Sequence, residues 1–109
     1  MFGFRKLDVY QCAVTVLPLA YRLAERADAE TKRQLKRAAL SINLNIAEGT
    51  GRCDDDQRQF YRIARGSALE CAAVLDALHA LELVTREEVE PVEELLVRIV
   101  AMLTKMAAR

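Results

Sequence analysis

A chain of 109 residues is long enough to bury one hydrophobic core and too short for two. Apolar residues make up 52% of it, which excludes an intrinsically disordered chain, and with 6% aromatics and no tryptophan the core falls to Leu, Val, Ile and Ala. Lys plus Arg and Asp plus Glu stand at 16 each, a balance that argues against a dedicated nucleic-acid module.

Met1 to Lys6 reads as a short arm whose Phe2 and Phe4 should dock if both rings find a groove. The first helix opens with Asp8 as N-cap, Gln11 three residues on, and Leu7 and Cys12 placed as a hydrophobic staple. Val9, Ala13, Val16, Leu17, Ala20, Leu23, Ala24 and Ala27 recur at helical spacing, and Tyr10, Val14 and Tyr21 widen one edge. Pro18 lies opposite that stripe. The periodicity resumes beyond it, so a kink rather than an end is expected near Val14, whose carbonyl loses its N–H partner.

Asp28 caps a second helix running from Ala29 to about Glu48 and ending at Gly49, with Gly51 in the loop that follows; either glycine is suited to a turn. Leu35, Ala38, Ala39, Ile42 and Ile46 share one face, while Leu40 and Leu44 lie about 150° away. One apolar stripe serves an intrachain core; the second asks for another partner. A polar line of Arg37, Ser41, Asn45 and Glu48 runs between them on one side, and Lys36 and Asn43 lie on the other.

Asp54 and Gln57 have capping-box spacing for a third helix, with Asp55 and Asp56 as rival caps. The three adjacent carboxylates read as cap and dipole complement rather than metal ligands, because neighbouring residues point in different directions. Phe60, Ile63, Ala64, Ser67, Ala68, Cys71, Val74, Leu75, Leu78 and Leu81 form its expected core face. Gly66 with Ser67 would permit close helix approach, and Tyr61, Arg65, Leu69, Ala72 and Asp76 are expected on the outer face. Thr85 and Glu88 form a capping box, with Val84 and Val89 as staple, for a fourth helix reaching about Met106. Its core residues are Val89, Val92, Leu96, Ile99, Val100, Leu103 and Ala107. Pro91 leaves two starts open, a kinked helix from Thr85 or a rod beginning near Pro91.

Four such helices joined by short loops predict an all-α, antiparallel up-down-up-down four-helix bundle occupying residues 1–109 as one domain. A three-helix fold with a swapped fourth helix fits the same pattern. Cys12, Cys53 and Cys71, odd in number and widely spaced, read as reduced thiols, two in the core and one in a loop. No leader-like segment or 18-residue apolar run is found, so a cytoplasmic protein without membrane contact is expected.

Catalytic signals are sparse. His79 is the one histidine, no nucleophile has a base at motif spacing, and neither a phosphate loop nor a bundle ExxH pair occurs. No enzyme activity, cofactor or metal is expected. Arg37, Ser41, Asn43, Asn45, Glu48, Arg62, Arg65, Ser67 and Glu70 read instead as a structural polar network fixing helix or subunit register, since interior charges and amides need partners. Gly49, Gly51 and Gly66 read as close-packing or turn positions.

Leu7-Asp8-Val9-Tyr10, the run Leu35 to Gly49, and Phe60 to Glu70 together resemble the bacterial "four helix bundle protein" family. It includes proteins encoded in intervening sequences of large-subunit ribosomal RNA genes. The resemblance covers nearly the whole chain and implies a cytoplasmic bundle assembling as a ring-like homopentamer. The wider superfamily is similar to the accessory variability determinant of diversity-generating retroelements, a basic pentamer that binds nucleic acid and a reverse transcriptase.

Two functional classes follow. The first is a self-assembling scaffold or interaction protein, with Leu40, Leu44, Tyr61, Leu69 and Ala72 at the subunit interface and an unidentified protein as further partner. The second is a weak binder of structured RNA or DNA through a local patch. Up to Gly66 there are 12 basic against 8 acidic residues, and from Ser67 on 4 against 8, so a basic surface belongs to the first half. Lys32, Arg33, Lys36, Arg37 and Arg52 are its candidate contacts.

Overall fold

Apolar residues recurring three and four apart can be buried only where helices meet, and the computed structural model, which describes residues 2–109, solves this with four rods. These are α1 (Asp8–Ala24), α2 (Ala29–Thr50), α3 (Asp54–Ala80) and α4 (Arg86–Met106), preceded by a 3-10 turn at Gly3–Lys6. Helix α1 packs on α2 and α4, and α3 packs on the same two, so each rod touches two neighbours around an antiparallel bundle. No strand occurs among the described residues. The long axis of 42 Å matches the 27-residue α3 at about 1.5 Å per residue.

The interior follows the expected stripes on three helices. Val9, Ala13, Val16 and Ala20 of α1, Leu35, Ala39, Ile42 and Ile46 of α2, and Val89, Val92, Leu96, Ile99 and Leu103 of α4 are buried. Helix α3 buries Ala64, Ala68, Cys71, Leu75 and Leu78 of its expected face and departs from it toward both ends. Its buried residues are Tyr61, Ala64, Ala68, Cys71, Leu75 and Leu78, whereas Ile63 and Leu81 are exposed. The observed set steps by 3, 4, 3, 4 and 3, the knobs-into-holes repeat of paired helices.

Several boundaries differ for identifiable reasons. Leu7, not Asp8, is the N-cap of α1, without a side-chain bond; Asp8 sits in the first turn, and Gln11 Nε2 donates to the Arg5 carbonyl. Helix α1 stops at Ala24, where a tighter turn begins with Glu25 N–H donating to the Arg22 carbonyl. Helix α2 runs on through Gly49 to Thr50, whose hydroxyl donates to the Ile46 carbonyl, and neither Gly49 nor Gly51 adopts positive φ. Cys53 is the N-cap of α3, and Asp54 takes φ 51° instead of capping.

Other signals fall where the spacing places them. Asp28 accepts from the Thr31 N–H, and Thr85 and Glu88 exchange both capping-box bonds, at 3.2 and 2.9 Å. Val84 and Val89 are buried beneath that box. Both Pro18 and Pro91 lie inside continuous helices, so α4 begins at the capping box and passes through Pro91. At the N-terminus Phe4 meets the Tyr10 ring edge-on at 4.8 Å, but Phe2 stays exposed; Met1 lies outside the described residues.

Candidate subunit interface

The nine polar residues expected to form one network divide into separate groups. Ser41, Asn45 and Ser67 join α2 to α3: Asn45 Nδ2 donates to the Ser41 carbonyl at 2.8 Å and to its hydroxyl at 3.0 Å, and Ser67 Oγ donates to Ser41 Oγ at 2.8 Å. The others point elsewhere. Glu48 pairs with Arg52 one turn on, Arg62 donates to Gln59, and Arg65 Nε donates across to Thr104 Oγ1 of α4 at 2.8 Å. Glu70 lies in the groove between α2 and α3 with Glu30, Gln34 and Val74, away from Glu48. Asn43 is buried on another side of α2, its Oδ1 without a partner among the described residues. Arg37 is exposed and makes no ion pair among the described residues.

The glycines also separate. A Cβ on Gly49 would lie 2.9 Å from Tyr61 Cε1 and 3.0 Å from Phe60 Cβ, so this position is needed for close packing rather than for a turn. Gly66 is exposed with open space where a Cβ would project, so it does not bring helices together. Gly51 ends α2 with φ −84°.

The basic residues of α2 are largely neutralised within the chain. Lys32 and Lys36 converge on Glu25 at 3.0 and 2.8 Å, Arg33 pairs with Glu30, and Arg52 bridges Glu48 and Asp56 while lying over the Phe60 ring. The two lysines hold the Glu25 carboxyl at about 2, Lys36 contributing most. At the same end of the bundle Arg26 and Glu88 form a two-pronged pair, and with the Thr85 N–H it holds Glu88 at about 2.

The thiols divide as expected, with Cys12 and Cys71 buried, Cys53 exposed and all three free. Burial, with Glu70 adding a smaller effect, pushes Cys71 up to about 12, so it is not a nucleophile near neutral pH. His79 is exposed. No group of three His, Cys, Asp or Glu side chains is arranged to hold a metal among the described residues. Among the same residues no helix is long and apolar enough to cross a membrane.

Two groups of side chains outside the core are apolar. Leu40 and Leu44 of α2 stand outside the core, Leu44 at 55% exposure, with Leu17, Pro18 and Tyr21 of α1 beside Leu40. On the α3–α4 side, Leu69 at 47% and Val97 at 63% line a groove with Ala72 and Val100. Tyr61 does not belong to this surface: it is 5% exposed, and its hydroxyl lies 3.1 Å from Thr50 Oγ1. Gly49 explains the inward turn, since the ring fills the space a side chain would occupy. Val97, which the apolar stripe of α4 does not include, completes the α3–α4 groove; its signal in the sequence is a β-branched residue directly following core Leu96.

Fold and surface together define an all-α four-helix bundle with a filled core and apolar residues left over on two sides. The chain belongs to the 23S rRNA-intervening sequence protein family, whose model matches residues 5–105. No curated protein matches the chain.

Proposed function

We propose that this chain is a cytoplasmic self-assembling scaffold, one bundle per subunit, whose copies close into a ring, a homopentamer as the family resemblance implies. The observation that carries the reading is the exposure of Leu44 and Leu69 on separate sides of an otherwise complete core. Each buried leucine contributes roughly 1.5 to 3 kcal/mol against full exposure, and half-exposed leucines retain a substantial part of that for association. The 42 × 22 Å side of the bundle has a projected area on the order of 900 Å2, about what one partner brings to a standard-size interface. The assembled ring would then present five copies of any surface to an unidentified protein partner.

Binding of structured RNA or DNA is the weaker reading, because Lys32, Arg33, Lys36 and Arg52 already face carboxylates of their own chain, and of the five candidates Arg37 alone has no carboxylate partner among the described residues. Phosphate binding by such residues would have to displace those pairs. Light scattering coupled to size exclusion tests the main proposal. A mass of several chains is expected at micromolar concentration, and a mass of one chain overturns it. An RNA titration at low salt, expected to show no salt-sensitive binding, tests the other.

A further inference from the structure

The turn between α3 and α4 carries an apolar patch that belongs neither to the core nor to the two side faces. Leu81 is 63% exposed and Leu83 38%, one on each side of Glu82. Leu83 has a local reason to be there, since its N–H closes the end of α3 on the Leu78 carbonyl, a closure commonly joined by an apolar contact between those two side chains. Leu81 has no such role. Turns normally carry polar residues, and a leucine left mostly in water there keeps most of its burial energy for another contact. Exposed Ala77 and Ala80 extend the patch back along the last turn of α3. The charges around it all have one sign. Asp76, Glu82, Glu87 and Glu90 are exposed, and none has a cationic partner among the described residues. Arg86, the one arginine or lysine between Asp76 and Glu90 in the chain, is held by Glu93, and Arg26 is held by Glu88.

We infer that the α3–α4 turn is a docking surface for a basic amphipathic segment of a different protein, one that sets an apolar side chain on Leu81 and lysines or arginines against the four carboxylates. Opposite charge steers such a segment in and fixes its register, and the apolar anchor holds it. The same four charges repel nucleic acid and anionic lipid, whose phosphates would meet carboxylates. The chain's own segment of matching character, Phe2 to Lys6, starts from the opposite end of the bundle, because α1 runs from there to the end where Arg26 meets Glu88. Side-by-side copies in one ring would carry that segment on the far rim, out of reach of the turn. The surface exists on a single chain and rests on the proposed assembly only for its multiplicity, since several copies on one rim would raise the avidity of a partner with repeated basic segments.

The test titrates the full chain into fluorescently labelled helical peptides of about 14 residues, long enough for four turns, and follows anisotropy at low salt. One peptide has leucines on one face and lysines on the other, the second replaces lysine by glutamate, and the third replaces leucine by serine. The leucine–lysine peptide should bind and weaken as salt rises, and the other two should bind at least about tenfold more weakly. Leu81→Ser should weaken binding about tenfold, as should Glu82→Gly combined with Glu87→Gln and Glu90→Gln, each protein keeping native helicity by circular dichroism. Ile63→Ser, which removes an exposed apolar residue elsewhere on α3, should leave binding unchanged. Equal binding of the glutamate peptide, undiminished binding by Leu81→Ser, or the same loss in Ile63→Ser overturns the inference. Light scattering on the same samples separates it from the assembly: an oligomer that ignores the leucine–lysine peptide overturns the docking surface alone, and a monomer that binds it overturns the assembly alone. A mass that keeps growing with concentration beyond one closed size would give the turn to Phe2–Lys6 of another copy and overturn a foreign partner.

Discussion

Gly49 of α2 and Tyr61 of α3 fit together as a hole and the ring that fills it: the Cβ that Gly49 lacks would stand 2.9 Å from Tyr61 Cε1. The same ring places its hydroxyl against Thr50 Oγ1, so a close approach and a polar contact lock the α2–α3 corner together. Gly49→Ala should therefore destabilise the fold by about 1 to 3 kcal/mol through overpacking, although alanine is the better helix former. Tyr61→Phe, which keeps the ring, should lose only about 0.5 to 1.5 kcal/mol. Urea denaturation of the three proteins checks the order, and a Gly49→Ala midpoint at or above wild type would contradict the packing.

The two asparagines of α2 should respond oppositely to leucine. Asn45 donates twice to Ser41, and its loss removes bonds tied to Ser67, so Asn45→Leu should cost about 1 kcal/mol or more. Asn43 is 8% exposed with an unpartnered Oδ1, and Asn43→Leu should be neutral or stabilising by about 1 kcal/mol. Matched thermal melts decide between them; equal shifts in both variants would refute the distinction.

Glu82 occupies a position that usually belongs to glycine. It follows α3 with φ 61°, while Leu83 N–H donates to the Leu78 carbonyl and Glu82 N–H to that of His79, the two bonds that close a helix C-terminus around a left-handed residue. A left-handed backbone costs a residue with a Cβ about 1 kcal/mol, so Glu82→Gly should raise stability by roughly 0.5 to 1 kcal/mol. A lowered denaturation midpoint would argue against that account.

Acid should weaken the turn end of the bundle first. Glu25 and Glu88 are held at about 2 against an ordinary 4.5 by Lys36, Lys32 and Arg26. A carboxyl depressed in the folded state contributes stability that is complete above its unfolded value and lost as pH falls through the folded one. The stability conferred by these pairs should hold above pH 4.5 and drain away between there and about pH 2. Glu25→Gln with Glu88→Gln should flatten that part of the curve of denaturation midpoint against pH; an unchanged slope would remove these pairs as its cause.

Thiol reagents should find one cysteine quickly. Cys53 is exposed at the start of α3, whereas Cys12 and Cys71 are buried and Cys71 is also held protonated by its surroundings. Titration of the native protein should give one fast equivalent and the denatured protein three; more than one fast equivalent would place a second thiol at the surface.

The sequence by itself determined the number of helices, the Asp28 and Thr85 caps, and the buried stripes of α1, α2 and α4, because those signals act within a few residues of the chain. It also separated Leu40, Leu44 and Leu69 from the interior, since they fall outside the face each helix must bury. On α3 the middle of the stripe was legible as well, and its ends were decided only in three dimensions. Its apolar residues spread over more than one face, and the choice of Tyr61 over Ile63 for the core depended on the space beside Gly49, a helix away. The polar partners were decided there too: Arg65 reaches Thr104 and Arg26 reaches Glu88 because long side chains pair with whatever a neighbouring helix brings within range, and sequence spacing carries no record of that neighbour.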